Sequence, residues 1–523
     1  MNHVFVAPDS VKKLELFRLS NDIYEHLLPE LSRFLNNFHK TNKPTRYWEI
    51  IAGVWLRMFV DAVVSRVHIA LSIDYQQSQI NVITSDSDDD QVNSVANKDL
   101  SSFQSAFKSS DWNSRIYSDV FMHLRGLSKK KELALAVDNQ YEKQESKRLG
   151  RSYVSSTYLP RRMELFLALT LGTFPHRIHR THADEQPINT AVRTLRLQHS
   201  ENAEEVERII SDLILKYLPK SYLEEFVNLK QKALSHFPTR IPQSVFTANR
   251  HLYDDGFNIW AAEKMMCGSK LVLAQHGGHF GTSLFPSFAE RHELSVADRY
   301  FTWGWTSNAR CFPLFVLTKA GVATRKKANA NNLLVVTDHV WIHPRSFFMD
   351  IHESGNYLPF MSDIINSLKS ETQQNTVLRI HHGHAETGSP QDVWWSSHAP
   401  QIQQDDGTAA FSTLLSDTKL VLTSHNGTTF PETINSGIPT VIAWDSSFVQ
   451  IRQEAEPVFQ LMERAGIFHS TPESAAAFIN QIWDDVDGWW NSPQVVDARS
   501  EFCNQYARTV PHPVRFLVKA LKF

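Results

Sequence analysis

Between Tyr47 and Leu71 (YWEIIAGVWLRMFVDAVVSRVHIAL) apolar residues recur at three- and four-residue spacing, broken only by Arg57 and Asp61 and a few other polar positions, which predicts one or two buried helices. The tract that follows, INVITSDSDDDQVNSVANK, reads as a short strand and a polar, acidic loop in which Asp86-x-Asp88 has the spacing of a metal clamp, though clustered Asp and Ser are more simply ordinary loop chemistry. A charged helical pattern covers Glu201–Ala233, and then the texture changes. Short apolar runs separated by polar turns appear at Ser244–Asn249, Lys270–His276, Arg299–Trp305, Asn332–Asp338, Asn375–His382, Lys419–His425 and Pro439–Trp444. They alternate with helical patterns over Asn258–Met266, Tyr357–Lys369, Ile451–Ala465 and Glu473–Val486. Strand–helix alternation over this length predicts a parallel α/β fold. The polar, basic stretch Thr318–Asn332 divides the chain and predicts two α/β domains with a cleft between them. The expected boundaries are residues 1–325 (a helical region, then α/β), 326–490 (α/β) and 491–523 (a helical tail packing back on both).

Composition narrows the function classes. Hydrophobic residues at 42% and charged residues at 21% allow a real core in each domain and exclude a disordered or fibrous chain. The 53 Lys and Arg against 56 Asp and Glu leave a net charge of −3, so there is no overall basic field for nucleic acid. Cys267, Cys311 and Cys503 are scattered, which offers neither a disulfide framework nor a thiolate zinc site and fits a reducing cytoplasm. The opening MNHVFVAPDSVKK is not read as a secretion signal, and the best apolar runs are too short or interrupted to span a bilayer. Peripheral association with a membrane stays open. The 24 histidines and 13 tryptophans suit a ligand cleft.

In α/β sheets ligands sit at the carboxyl ends of the strands, so chemistry is sought just after each apolar run. The richest segment is KLVLTSHNGTTFPETINSGIPTVIAW, Lys419–Trp444. Its strand ends in Ser424, His425, Asn426, Gly427, Thr428 and Thr429, and a helix opens near Pro431-Glu432, closes at Gly437 and returns at Pro439. That order describes a strand, an anion-binding turn, a short helix and a return strand. It resembles the donor-nucleotide site of two-domain, GT-B-type glycosyltransferases, in which the glutamate, here Glu432, accepts hydrogen bonds from ribose hydroxyls. In VLRIHHGHAETGSP, Arg379 and His382 fall beside the same strand ends and are expected near the phosphates. His381, His382 and His384 also suggest a metal, but only Glu386 is at hand to complete a ligand set, so no metal is assigned.

In the first α/β block, LAQHGGHFG packs His276, Gly277, Gly278 and His279 after a strand, with Glu290, Glu293 and Asp298 following. The glycines permit close backbone approach, and the loop is expected on the acceptor side. His279, Glu290 and Glu293 are the candidate general bases. His343-Pro344-Arg345 is a weaker cleft candidate, and Trp489-Trp490 reads first as aromatic packing of the terminal helix.

Together these segments resemble the surface-carbohydrate transferases first described from leptospiral O-antigen loci, which are GT-B enzymes similar in part to capsule-type transferases. The resemblance rests on Arg46-Tyr47-Trp48 with Trp55-Leu56, Asp111-Trp112-Asn113, Gln275 to Gly278 with Gly281, Glu290 and Glu293, Asp298 to Trp305, Ser424 to Glu432, and Trp489-Trp490. It implies a GT-B-like fold, two Rossmann-like domains facing a cleft, and transfer of a nucleotide-activated sugar to a glycan or lipid-linked glycan on the cytoplasmic side of a bacterial membrane. CMP-activated ulosonic acids are the first donors to consider, the nucleotide-sugar being a substrate and no cofactor being expected. A nucleotide-sugar epimerase of the same fold and a non-catalytic carbohydrate-binding protein are the alternatives.

Overall fold

In the computed structural model of the chain, the buried run near residue 50 is a single helix, Thr45–Ser72 (α2), packed along Ser10–His39 (α1). The structure describes residues 9–72, 96–126, 131–132 and 150–522 apart from 173–179, 322–326, 339, 342, 344, 349–355 and 384–390. Asp86, Asp88, His384 and Glu386 therefore lie outside the described residues. The polar interruptions of α2 are buried and paired, as charge in a core must be. Asp61 accepts from Ser20 Oγ at 2.5 Å and pairs with Arg291; Arg66 donates to Asn113 Oδ1 at 2.7 Å; and Arg57 lies over the Tyr24 ring, 3.5 Å from its centroid.

Besides a two-stranded parallel pair, Lys131–Glu132 with Leu195–Arg196, two larger parallel sheets follow. The first comprises β1 (Tyr153–Val154), β2 (Ser244–Thr247), β3 (Lys270–Ala274), β4 (Arg299–Thr302) and β5 (Cys311–Pro313), paired side by side in chain order. Among the helices around it are α3 (Arg161–Leu171), α4 (Asp255–Met266) and α5 (Phe288–Val296). Capping fixes where α4 and α5 begin: Asp254 accepts from the Phe257 amide at 3.0 Å, and Ser287 from the Glu290 amide at 3.2 Å.

The second sheet holds β6 (Asn332–Val336), β7 (Thr376–Arg379), β8 (Gln403–Asp405), β9 (Thr418–Thr423), β10 (Thr440–Ala443) and β11 (Phe468–His469). Its spatial order, β8-β7-β6-β9-β10-β11, is that of a doubly wound nucleotide-binding sheet, whose direction of winding reverses between β6 and β9. Its inner strands β6, β9 and β10 are continuous apolar runs because both faces are covered, whereas the edge strand β8 is polar and partly exposed. One face, with α6 (Tyr357–Asn366) and α9 (Pro472–Ile482), forms its own core, whereas α7 (Thr429–Asn435), α8 (Glu456–Arg464) and α10 (Pro493–Tyr506) join the core of the first half. The last helix, α11 (Pro513–Ala520), returns to pack on α3. The chain is thus α/β and GT-B-like, two Rossmann-like halves with a helical N-terminal region and a C-terminal helical tail.

The seven strands predicted from Ser244 onward all occur, and the short one expected at 80–84 lies outside the described residues. In the two larger sheets the pattern missed β1, β5, β8 and β11, outlying strands of two or three residues, too short to show a period. The predicted helix 451–465 starts only at Glu456, because residues 450–452 pair with the first half instead: Leu284 N donates to Gln450 O and Arg452 N to Thr282 O, both at 2.9 Å. The predicted helix 357–369 ends at Asn366, and a separate short helix occupies Ser370–Gln374. No helix among the described residues is long and apolar enough to cross a membrane.

Candidate functional site

The carboxyl ends of β2 and β3 converge on one carboxylate. Glu293, on α5 and fully buried, accepts on the same oxygen, Oε1, from His276 Nε2 after β3 and from His251 Nε2 after β2, each at 2.9 Å. Burial alone would raise its pKa; the two imidazoles outweigh that and hold it down to about 2, so Glu293 is an anion. The helix that carries it is clamped to α2 by Arg291 on Asp61 and Ser295 on Glu49. Gly53 of α2 lets His292 approach: a Cβ there would stand 3.0 Å from that ring.

The loop after β1 supplies the next layer. Ser156 and Tyr158 both hold left-handed backbone, φ 51° and 61°, costly for non-glycine residues. Asn249 fastens both, accepting from Ser156 Oγ at 2.6 Å and donating to Tyr158 Oη at 3.1 Å. The exposed Tyr158 ring lies parallel to His276, 6.2 Å between centroids, so the imidazole is walled on one face and oriented by Glu293 on its edge.

The Gly-His loop also meets the second half directly. Gly278 N donates to Thr428 Oγ1 at 3.3 Å, and Thr282 Oγ1 donates to Asn426 Oδ1 at 3.0 Å. A Cβ at Gly278 would fall 2.1 Å from the Gly427 carbonyl oxygen, so only glycine permits this approach. Gly281, at φ 80°, packs under the Trp305 indole, and Gln275 ties the loop down by donating to Gly277 O and accepting from Trp305 Nε1, both at 2.8 Å.

Of the candidate bases, the structure leaves none well disposed. Glu290 is buried against Arg452 Nη2 at 2.9 Å; burial lifts its pKa and Arg452 opposes the rise. Glu293 is enclosed by its two histidines. His279 Nε2 is covered and has no hydrogen-bond partner among the described residues, and desolvation, aided by His276 and Arg345, lowers its pKa to about 3, so the ring is neutral. His276, expected only in the acceptor-side loop with Gly277 and Gly278, is the part-exposed histidine on Glu293, while His251 is the buried one.

On the second sheet, the Ser424–Thr429 turn follows β9, at the point where the winding reverses. Ser424 Oγ is bound to Tyr357 Oη at 2.5 Å and is buried. Asn426 Nδ2 is covered and has no partner among the described residues. Glu432 is occupied: Thr318 Oγ1 donates to it at 2.5 Å and Lys319 Nζ lies 3.3 Å away, so its carboxylate joins the two halves as they stand. Arg379 points elsewhere than expected, donating to Asp405 at 3.0 Å and to the carbonyls of Ala409 and Gly407, where it anchors the 405–409 loop. His382 is exposed and stacks on His381. Among the described residues no group of three or more His, Cys, Asp or Glu is placed to hold a metal. Trp489 and Trp490 donate to the carbonyls of Ala465 and Gly437, each at 3.0 Å, as packing residues.

Sequence reasoning missed Tyr158, Asn249, His251, Lys319 and Arg452. Asn249 ends the predicted 244–249 run and His251 lies just beyond it, so the strand-end rule applied there would have found them.

The model of the LIC12162 family transferases matches residues 6–521. No curated protein matches the chain. Among solved structures it is similar to the glycotransferase of kitacinnamycin (15% identity, TM-score 0.35, 72% of this chain and 100% of that one), to Anabaena Alr3699/HepE in complex with UDP-glucose (9%, 0.37, 72% and 98%) and to Acinetobacter baumannii MurG (11%, 0.30, 71% and 90%). The strand order, not this likeness, carries the fold assignment.

Proposed function

The chain belongs to the LIC12162 family of transferases, and from that premise we propose that it moves a sugar from a nucleotide-activated donor to a glycan or lipid-linked acceptor of a bacterial surface. The observation that carries this reading is the meeting of two strand-end loops, Gly277–Gly278 and Asn426–Thr428, with a histidine–carboxylate dyad on one side and the winding reversal of a nucleotide-binding sheet on the other. The donor nucleotide binds over the Ser424–Thr429 turn. Asn426 Nδ2 and the Thr428 hydroxyl are its polar contacts, and Lys319 is the nearby cation for phosphate. Glu432 exchanges its bonds to Thr318 and Lys319 for ribose hydroxyls when the donor enters.

The acceptor hydroxyl docks against Tyr158 and His276. With Nε2–H donated to Glu293, His276 takes the hydroxyl proton at Nδ1, and the resulting imidazolium is stabilised by the buried anion. The acceptor oxygen bonds to the anomeric carbon as the bond from that carbon to phosphate breaks, the nucleotide leaving with the electron pair. In this reading Glu293 is a positioning residue and the base is His276, while Glu290 and His279 serve the loop's structure. CMP-activated ulosonic acids are the first donor class to try.

The test is a thermal-shift screen against cytidine, uridine and guanosine nucleotides, followed by product analysis with and without a glycan acceptor. A nucleotide well above its Kd stabilises by a few kcal/mol. Stabilisation by one nucleotide class and turnover only with acceptor are expected. Turnover without acceptor would assign epimerase chemistry, and indifference to every nucleotide would sink the transferase site.

A further inference from the structure

Helix α3 is apolar on both sides. Leu167 and Ala168 are buried in the first half, yet Leu165, Phe166 and Leu169 on the opposite side are 51%, 51% and 63% exposed. A surface helix ordinarily turns polar residues outward; one that is apolar all round has a second covering surface. The rim of this face is basic. Arg161 and Arg162 are exposed in its first turn, Arg151 lies at its C-terminal end, and the adjoining α11 exposes Arg515 and Lys519. Residues 150–172 and 507–522 together carry seven Lys or Arg and a single acid, Glu164, in a chain with 56 acids to 53 bases. Even Glu164 is half-buried and turned inward to accept from Thr157 Oγ1 at 3.0 Å.

From this we infer that α3, with α11 beside it, docks on the surface of an anionic lipid bilayer. Leucine and phenylalanine side chains on the outer face enter the headgroup–acyl boundary, and the arginine and lysine rim meets lipid phosphate. A protein partner would fit the apolar face equally, but it gives no reason for a one-sided basic rim in an otherwise charge-balanced chain. The placement has a consequence for the cleft. Tyr158 lies three residues before the helix begins, so docking sets the loop that walls His276 close to the bilayer, where a lipid-linked substrate would be presented. The docking itself does not rest on the transfer reading.

Flotation of the full chain with vesicles tests it, comparing equal parts phosphatidylglycerol and phosphatidylcholine with phosphatidylcholine alone, at low and high salt. Wild type is expected to float with the anionic vesicles, to stay behind with the neutral ones, and to be released by salt. The triple variant Leu165→Ser, Phe166→Ser, Leu169→Ser is expected to bind about tenfold less with unchanged Tm, and Arg161→Glu with Arg162→Glu to lose the salt-sensitive part. Absence of wild-type binding, or equal binding by the variants, overturns the proposal. So does a wild-type dimer that the triple variant converts to monomer, which would assign the face to a second copy. A sharp fall in Tm of the triple variant would overturn it too, because the face would then be covered within the chain.

Discussion

Gly278 and Gly427 meet backbone to backbone across the two halves, so closely that a methyl group on the first would overlap the carbonyl oxygen of the second. Gly278→Ala must therefore push the loops apart, breaking the Gly278–Thr428 and Thr282–Asn426 hydrogen bonds. Transfer activity is expected to fall by about two orders of magnitude, since small misplacements of reacting groups cost that much. Nucleotide binding should change much less, and a wild-type rate would show that the contact plays no part in turnover.

The His276–Glu293 dyad predicts separable effects. His276→Gln removes the base and is expected to lower kcat about 100- to 10,000-fold with nucleotide affinity kept. Glu293→Gln keeps the shape but loses the anion beside the imidazole, so the pH–rate profile of its residual activity should move as well as its height. A purely structural Glu293 would lower Tm and leave that profile in place.

Glu290 and Arg452 form a buried ion pair between the halves. Breaking it from one side strands a charge, so Glu290→Gln and Arg452→Met should each destabilise by about 3–5 kcal/mol, and the double variant by less than their sum. Strict additivity in denaturant titrations would mean the pair is not coupled.

The pH dependence follows from sign. Burial lowers His279 from the usual 6.5 to about 3 and carries His292 well below its usual value, so the unfolded chain takes up these protons first. The stability these two groups contribute should fall as pH drops below about 6.5, at up to about 1.4 kcal/mol per pH unit for each, while the buried Asp255, raised to about 7, acts in the opposite sense. Glu293, lowered to about 2, adds a further loss as pH falls below its usual 4.5, while the raised Glu290 acts in the opposite sense. Urea midpoints from pH 7.5 to 5 should show a shallower decline in His279→Asn; an identical slope would mean His279 does not contribute.

Much of the fold is legible in the chain. The strands β2, β3, β4, β6, β7, β9 and β10 are read from apolar runs because each is buried on both faces, and α2 from spacing kept up over its whole length. The turn after β9 is legible too, since Ser, Asn, Gly and Thr between a strand and a helix have few other uses. The partners of single charged groups are not: Arg379 reads as a phosphate ligand but donates to Asp405, and Glu432, the residue proposed for the ribose, is bonded to Thr318 and Lys319 before any donor enters.

By itself, then, the sequence determined the alternation of strands and helices, the two-sheet division and the strand ends where polar residues gather, because burial period and turn chemistry are local properties. Only the tertiary structure decided which of those residues meet. Strand order and register bring His251 and His276, from loops after neighbouring strands, onto one oxygen of Glu293. The closeness of two backbones, not any spacing along the chain, makes Gly278 the seam between the halves.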